Sequence, residues 1–331
     1  MHYRTFRWIE FWLALLVGGA LTYPAAAQSS LSPERFVDDL IEARIDAVTA
    51  DYSPLVFAEY GSPEAGGRLG AWIRSEYWGD EVRGERTRPT RSPTCHWQAI
   101  NLGWGLAREA SDHNHYVAVR LEAMAWLQDQ QDELAQAQTA AVAEPELIGA
   151  DDTDGRRSDL ARRGAADQWW RRVRAHLDAD LQADDPVLRR LISNFARMRM
   201  CETDQANRRF AAGFLEEYGW PRISEYGDDA EQSFWLMVQH GPIELQERAL
   251  LILETLYPLG ETSPRHYAML YDRVNMRNGR PQRYGSQFTC RNGHWSLHDL
   301  EAPDSVNERR AAMGMDPLEG DPASLTRGEC G

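Results

Sequence analysis

His240 is the residue of this 331-residue chain best suited to move a proton, and it stands at the end of an apolar stretch, WLMVQH. An imidazole changes charge near neutral pH, so it serves as acid or base when a carboxylate orients it. Asp272 and Arg273 follow in YAMLYDRV, and Gln282, Tyr284 and Gln287 in GRPQRYGSQF. If these stretches converge, Asp272 orients His240, and Arg273 with Gln287 and Gln239 holds an anionic or amide-bearing ligand. Gln282 and Tyr284 complete such a site, and Trp220, in a GWP turn, walls it. A structural reading stands beside this one. His240 before Gly241 caps a helix end, and Asp272 and Arg273 each brace a neighbouring element.

Other constellations carry less. HExxH, GxSxG, GxxxxGK[ST] and GxGxxG are absent from the sequence, so zinc peptidases, α/β-hydrolases, P-loop and dinucleotide enzymes are disfavoured, and no cofactor is expected. His294 and His298 with Asp299, and His113 with His115, read as surface histidines; no metal site is expected. The acidic run DDTDG (151–155) reads as a solvated linker, because Ala150 and Ala161 fall where a calcium loop needs carboxylates.

The elements that must position these groups are helical. Ser32-Pro33 opens PERFVDDLIEARIDAV with apolar residues at helical spacing, and 116–130 is again amphipathic. Residues 61–93, rich in Gly, Pro, Arg and Glu, read as a connection. Residues 131–167 have few large apolar side chains and read as a linker between a helical N-terminal region, 28–130, and a helical domain, 168–331. Within that domain Asp228 and Glu231 have capping-box spacing. Residues 280–290 then alternate, which predicts a strand with Gln282, Tyr284, Ser286 and Phe288 on one face and Arg283 and Gln287 on the other. Asn292-Gly293 predicts a tight hairpin turn. The expected fold class is mainly α, with a helical N-terminal part and a helical C-terminal domain closed by a β-hairpin.

Composition bounds the partners. The net charge is −15, and all 36 basic residues are arginine. Lysine chemistry is therefore excluded, and an acidic surface repels phosphate backbones, so no nucleic-acid partner is expected. Arg4 and Arg7, an apolar run over 11–21 and Ala25 to Ala27 have the order of a signal peptide, 1–27, cleaved after Ala27. The run is shorter than the ~20 residues a spanning helix needs, so no stable membrane anchor is expected. The implied address is periplasmic or secreted. In that oxidising setting four cysteines without CxxC spacing predict two disulfides. Of three possible pairings, Cys95–Cys201 with Cys290–Cys330 is favoured, because the second bridge ties down a tail with little core of its own.

GWP at 219–221, WLMVQH at 235–240, Gln246, YAMLYDRV at 267–274, GRPQRYGSQF at 279–288 and VNERRAAMGMDPL near the end together resemble a bacterial family of unknown function, domain-of-unknown-function family 6624. The resemblance runs from about Asp204 to Leu318. It implies a shared domain and no particular reaction. Two departures stand out: Gly241-Pro242 replaces the Ala-Asp expected after the histidine, and Ser286 replaces a usual Thr. The acidic partner beside His240 is thus missing locally. The function expected is an exported envelope protein that binds a small molecule or an envelope protein partner, or serves as a scaffold. The alternative is a periplasmic hydrolase-like enzyme with its site around His240, Asp272, Arg273 and Gln287.

Overall fold

The computed structural model describes residues 31–57, 62–78, 94–142, 153–180, 184–320 and 325–329. The expected signal segment 1–27, and Cys330, lie outside them. Twelve α-helices and one small sheet make up the described residues, as the sequence predicts. No helix among them is long and apolar enough to cross a membrane.

The chain divides into two compact units. The first holds the described residues up to Asp129 together with His176–Arg199. It contains α1 (Pro33–Ile41), α2 (Ser53–Val56), α3 (Pro63–Trp78), α4 (Cys95–Glu109), most of α5 (His113–Ala140) and the start of α7 (Pro186–Glu217). The Ser32 hydroxyl accepts the Arg35 N–H and Pro33 sits in the first turn, which fixes where α1 begins. Its buried face carries Phe36, Val37 and Leu40. Asp39 is buried on the same helix and is neutralised by Arg35 and Arg44. The turn before α2 is held from inside: the Tyr52 hydroxyl donates to the Ala47 carbonyl at 2.9 Å, and Arg120 donates to the carbonyls of Thr49 and Ala50. Val187, Leu188, Leu191, Ile192 and Phe195 of α7 are buried. Arg199 pairs with Asp46 at 2.5 Å, and Asp185 accepts from His115, so this part of α7 belongs with the N-terminal helices. Sequence patterning had placed it in the C-terminal domain.

The second unit holds Gln130–Ala175 and the described residues from Met200 onward. Its elements are α6 (Thr153–Asp180), the rest of α7, α8 (Ile223–Tyr226), α9 (Asp228–Gln239), α10 (Ile243–Leu256) and α11 (Pro264–Arg277). After these come β1 (Phe288–Arg291), β2 (His294–Leu297), α12 (Val306–Ala312) and β3 (Thr326–Glu329). Leu160, Phe214, Trp220, Phe234, Met237, Leu253 and Leu270 lie in one core. Phe214 and Trp220 pack on Phe234 with ring centroids 5.1 and 5.0 Å apart, the second edge-on, the arrangement the ring quadrupole favours. Asn292 and Gly293 both have positive φ, and Arg291 pairs with His294 across the turn, as the Asn-Gly signal predicts.

Three expectations are corrected. Residues 131–140 and 153–167, read as linker, are helical in α5 and α6. They are rich in Ala, Gln and Arg, strong helix formers that need little apolar content to stay helical where one face is covered. Residues 63–78 form α3 and not a connection. The strand expected over 280–290 begins only at Phe288. Before it the chain is a loop with Gly285 at φ +67°, so the predicted alternation of faces does not hold there.

Cys95 and Cys201 are disulfide-bonded, as favoured from sequence. Cys290 is disulfide-bonded too. Its expected partner, Cys330, falls outside the described residues.

Gly103 of α4 faces the buried Tyr52 ring: an added Cβ would lie 2.3 Å from the ring edge, whereas one at Gly105 would meet nothing within 4 Å. Gly103→Ala should therefore destabilise by about 1–3 kcal/mol through overpacking, despite alanine's better helix propensity. Gly105→Ala should stabilise by roughly 0.5–1 kcal/mol. Urea unfolding of both variants measures the contrast.

Candidate functional site

The C-terminal end of α9 is where the polar groups of the second unit gather. The hydrogen-bond ladder of α9 ends at His240, whose N–H still reaches the Leu236 carbonyl, and Gly241-Pro242 breaks it. Helix ends leave carbonyls unpaired, and here side chains satisfy them. The Gln246 amide, fully buried on α10, donates to the Gln239 carbonyl at 2.8 Å and to the Gly241 carbonyl at 3.2 Å. Arg273 of α11 also donates to the Gln239 carbonyl, at 3.3 Å.

His240 has its carboxylate, and it is Asp167 of α6. Nδ1 of His240 lies 3.0 Å from Asp167 Oδ1; the Asp167 side chain is fully buried, while that of His240 keeps 20% of its surface exposed. A carboxylate facing the ring only accepts, so the proton sits on Nδ1 and the lone pair of the neutral imidazole on Nε2. Asp167 also accepts from Gln168 and from Arg171, and Arg171 reaches on to Asp204 at 2.9 Å. The close approach that lets Asp167 reach His240 depends on Gly164, one turn earlier on α6. A Cβ there would lie 2.4 Å from the Ser233 hydroxyl and 3.2 Å from its Cα, on α9.

Asp272, expected to orient His240, is placed elsewhere. It is fully buried and accepts three backbone N–H groups, those of Arg283 and Tyr284 on Oδ1 and that of Ser286 on Oδ2, at 2.7 to 2.9 Å. Burial pushes its carboxyl above the ordinary range, against the pull of those three donors. Gln282 closes the same loop: its amide donates to the carbonyls of Gln287 and His298 and accepts the Gln287 N–H. Tyr284 is buried among Ala268 and Met315, and its carbonyl takes Arg310. Trp220 donates its indole N–H to Glu231 at 3.1 Å inside the core. Three of the expected site residues, Asp272, Gln282 and Tyr284, thus build the loop, and Trp220 belongs to the core.

That loop delivers Gln287 to Arg273. Nε of Arg273 donates to Gln287 Oε1 at 3.1 Å, while the Gln287 amide donates to the Ser286 hydroxyl. Every partner of the Arg273 guanidinium among the described residues is neutral: a side-chain amide oxygen and a main-chain carbonyl. Desolvation, and then the like charges of Arg277 and Arg171, push its pKa down to about 10. Beside it Gln239 is buried, and its Oε1 has no hydrogen-bond partner. His240 and Arg171 thus share Asp167, while Arg273 joins Gln287 to the Gln239 carbonyl and bonds to no carboxylate.

A second histidine with a buried carboxylate lies in the same unit. Glu231 does not close a capping box; it is buried, binds Nδ1 of His266 at 2.8 Å, and accepts from Trp220 and Thr262. His266 stacks on Trp235 with centroids 4.4 Å apart. Every donor around Glu231 comes from packed core elements, so this network reads as structural. Asp167 and Arg171 were missed from sequence because nothing in their local spacing distinguishes them from surface charges, and Glu231 was read as a helix cap because of its spacing from Asp228.

Residues 184–325 match the model of a family of unknown function, DUF6624, in agreement with the resemblance of the C-terminal part. Neither a curated protein nor a solved structure matches the chain. Asp167 and Arg171 precede the matched segment; Gln239, His240, Asp272, Arg273 and Gln287 fall within it. The carboxylate that Gly241-Pro242 fails to provide after His240 is thus supplied by α6.

Asp272→Asn replaces one acceptor oxygen with an N–H₂ facing backbone donors. Stability should fall by about 1–3 kcal/mol through unpaired buried N–H groups, read from denaturant midpoints.

Proposed function

We propose that the second unit is a binding module for a small anionic ligand, carried by an exported protein. One observation carries the reading: Arg273 is half-buried, its hydrogen-bond partners are neutral, and the charges of Arg277 and Arg171 lower its pKa. A desolvated cation without a counter-ion is costly, and the C-terminal dipole of α9, equivalent to about half a charge, offsets part of it. An oxyanion would offset the rest through the two-pronged guanidinium, with the free oxygen of Gln239 accepting any N–H or O–H the ligand offers. The disulfides support the export half of the reading, since such bonds persist in oxidising compartments.

A second reading, hydrolysis, is favoured by the Asp167–His240 pair. With Nδ1 committed to Asp167, Nε2 is the nitrogen left to take a proton from water and return it to a leaving group. Asp167, not Asp272, fills the orienting role in this version. Its expected signature is turnover that His240→Asn abolishes and that Arg273→Gln weakens mainly through KM.

Acetate, inorganic phosphate and sulfate, titrated separately into the full chain, should raise its melting temperature in proportion to the logarithm of anion concentration. Arg273→Gln should weaken that binding by about tenfold to a hundredfold, the loss of one or two charge-assisted hydrogen bonds. Without anion the variant should be as stable as wild type or more so, because an unbalanced buried charge is gone. Were Arg273 a brace, the variant would instead lose stability with no anion present. Separately, intact mass of the secreted protein should show an N-terminus at Gln28 and no free thiol.

A further inference from the structure

We propose that His240 is the second contact to the bound anion, that the ligand is a doubly charged oxyanion such as a phosphoryl or sulfuryl group, and that it binds together with one proton. This deepens the anion-binding reading above and rests on it.

The argument begins with connectivity. Arg273 donates to the carbonyl of Gln239, the residue directly before His240. Arg171, which shares Asp167 with His240, is close enough to Arg273 to lower its pKa. The imidazole and the guanidinium thus border the same polar region. His240 is held through Nδ1, and no described residue bonds its Nε2. Because the ring is partly exposed, Nε2 is open to a ligand.

Charge then selects the ligand class. Asp167 of α6 faces the His240 ring and is shared with Arg171, which reaches Asp204 of α7; on α11, Arg273 follows the buried Asp272 and feels Arg277 and Arg171. The packed face of α10 offers the neutral Gln246, and the loop after α11 the neutral Gln287. Arg171, Arg273 and Arg277 stand against Asp167, Asp204 and Asp272, one for one while His240 is neutral. A protonated His240 adds one positive charge. Its Nε2–H becomes a donor, and a dianion then gains one more N–H and more from the added charge than a monoanion does. A tetrahedral dianion also spreads its charge over oxygens that point in several directions, so the guanidinium and the imidazolium can each face a different one. By linkage, a ligand that favours the protonated ring binds more tightly as protons become available.

Sulfate is the probe, since it stays doubly charged over the whole working range, with acetate as the monoanion. Isothermal titration of the full chain between pH 8 and pH 5 should show sulfate binding tightening as pH falls, by up to about tenfold per unit at its steepest, the limit for one linked proton. Acetate should bind more weakly than sulfate at pH 5. His240→Asn keeps an N–H toward Asp167 but cannot titrate, and His240→Gln serves if that variant melts early. Either variant should bind sulfate with a flat pH profile, at the affinity wild type shows at pH 8. A flat profile in wild type, an unchanged slope in the His240 variants, or tighter binding of acetate than sulfate would each overturn the proposal while leaving anion binding at Arg273 intact. If wild type binds neither anion at any pH, the Arg273 reading fails and takes this one with it.

Discussion

The candidate site depends first on a carboxylate that takes no part in it. Asp272 is buried on α11 and gathers the N–H groups of Arg283, Tyr284 and Ser286. A loop of this kind has no ladder of its own, and each buried N–H left unpaired costs on the order of 1–3 kcal/mol. One side chain pays that debt for three residues. Gln282 then ties the loop's two ends, and Gln287 arrives in register with Arg273, which follows Asp272 directly on the helix. The adjacency of Asp272 and Arg273 has a mechanical sense: successive helix residues point about a quarter turn apart, so one can grip the loop while the other faces what the loop presents.

Around this anchor the second unit distributes its charges unevenly. Asp167 is buried with an arginine in contact, and Glu231 with a histidine, a tryptophan and a threonine. Arg273 is arranged differently: it bonds to the carbonyl at the end of α9 and to an amide oxygen, and Arg277 and Arg171 lower its pKa. Packing demands do not explain that choice, since a neutral side chain could donate to the same two oxygens without the desolvation cost. A group that costs stability and is matched by no internal partner is the form a site for an external partner takes.

Much of this was legible in the residue pattern. The helical periods around Phe36, Phe214 and Leu253 and the Asn-Gly hairpin rest on local signals, and the structure contains them; the pairing of Cys95 with Cys201, favoured among three because the other bridge would hold the tail, is present too. Gln239, His240, Arg273 and Gln287 were picked out as polar groups on apolar elements, and those elements do converge. The partner of His240 was not legible. Asp272 was chosen because it sits in a motif-rich helix, but a buried carboxylate answers to whichever donors surround it, and three main-chain N–H groups outbid one imidazole. Asp167 went unnoticed in a stretch whose low apolar content read as linker, although Leu160 and Trp170 there are buried. Two large side chains and a glycine at the contact, Gly164, suffice to seat a helix that composition treats as solvent-exposed.

The way α6 is seated also separates the parts of the cluster by origin. Gln239, Arg273 and Gln287, with the Asp272 loop behind them, lie within the segment 184–325 that matches the family model. Asp167 and Arg171 come from the preceding helix; Asp167 faces His240, and Arg171 adds its charge near Arg273. A carboxylate on Nδ1 fixes the ring's tautomer and orientation without touching Nε2. Gly241-Pro242 leaves no acidic side chain directly after His240, so that carboxylate comes across space, where Gly164 lets α6 approach α9. In this chain, then, the arginine with neutral partners and the carboxylate that orients the imidazole are carried by different stretches of sequence.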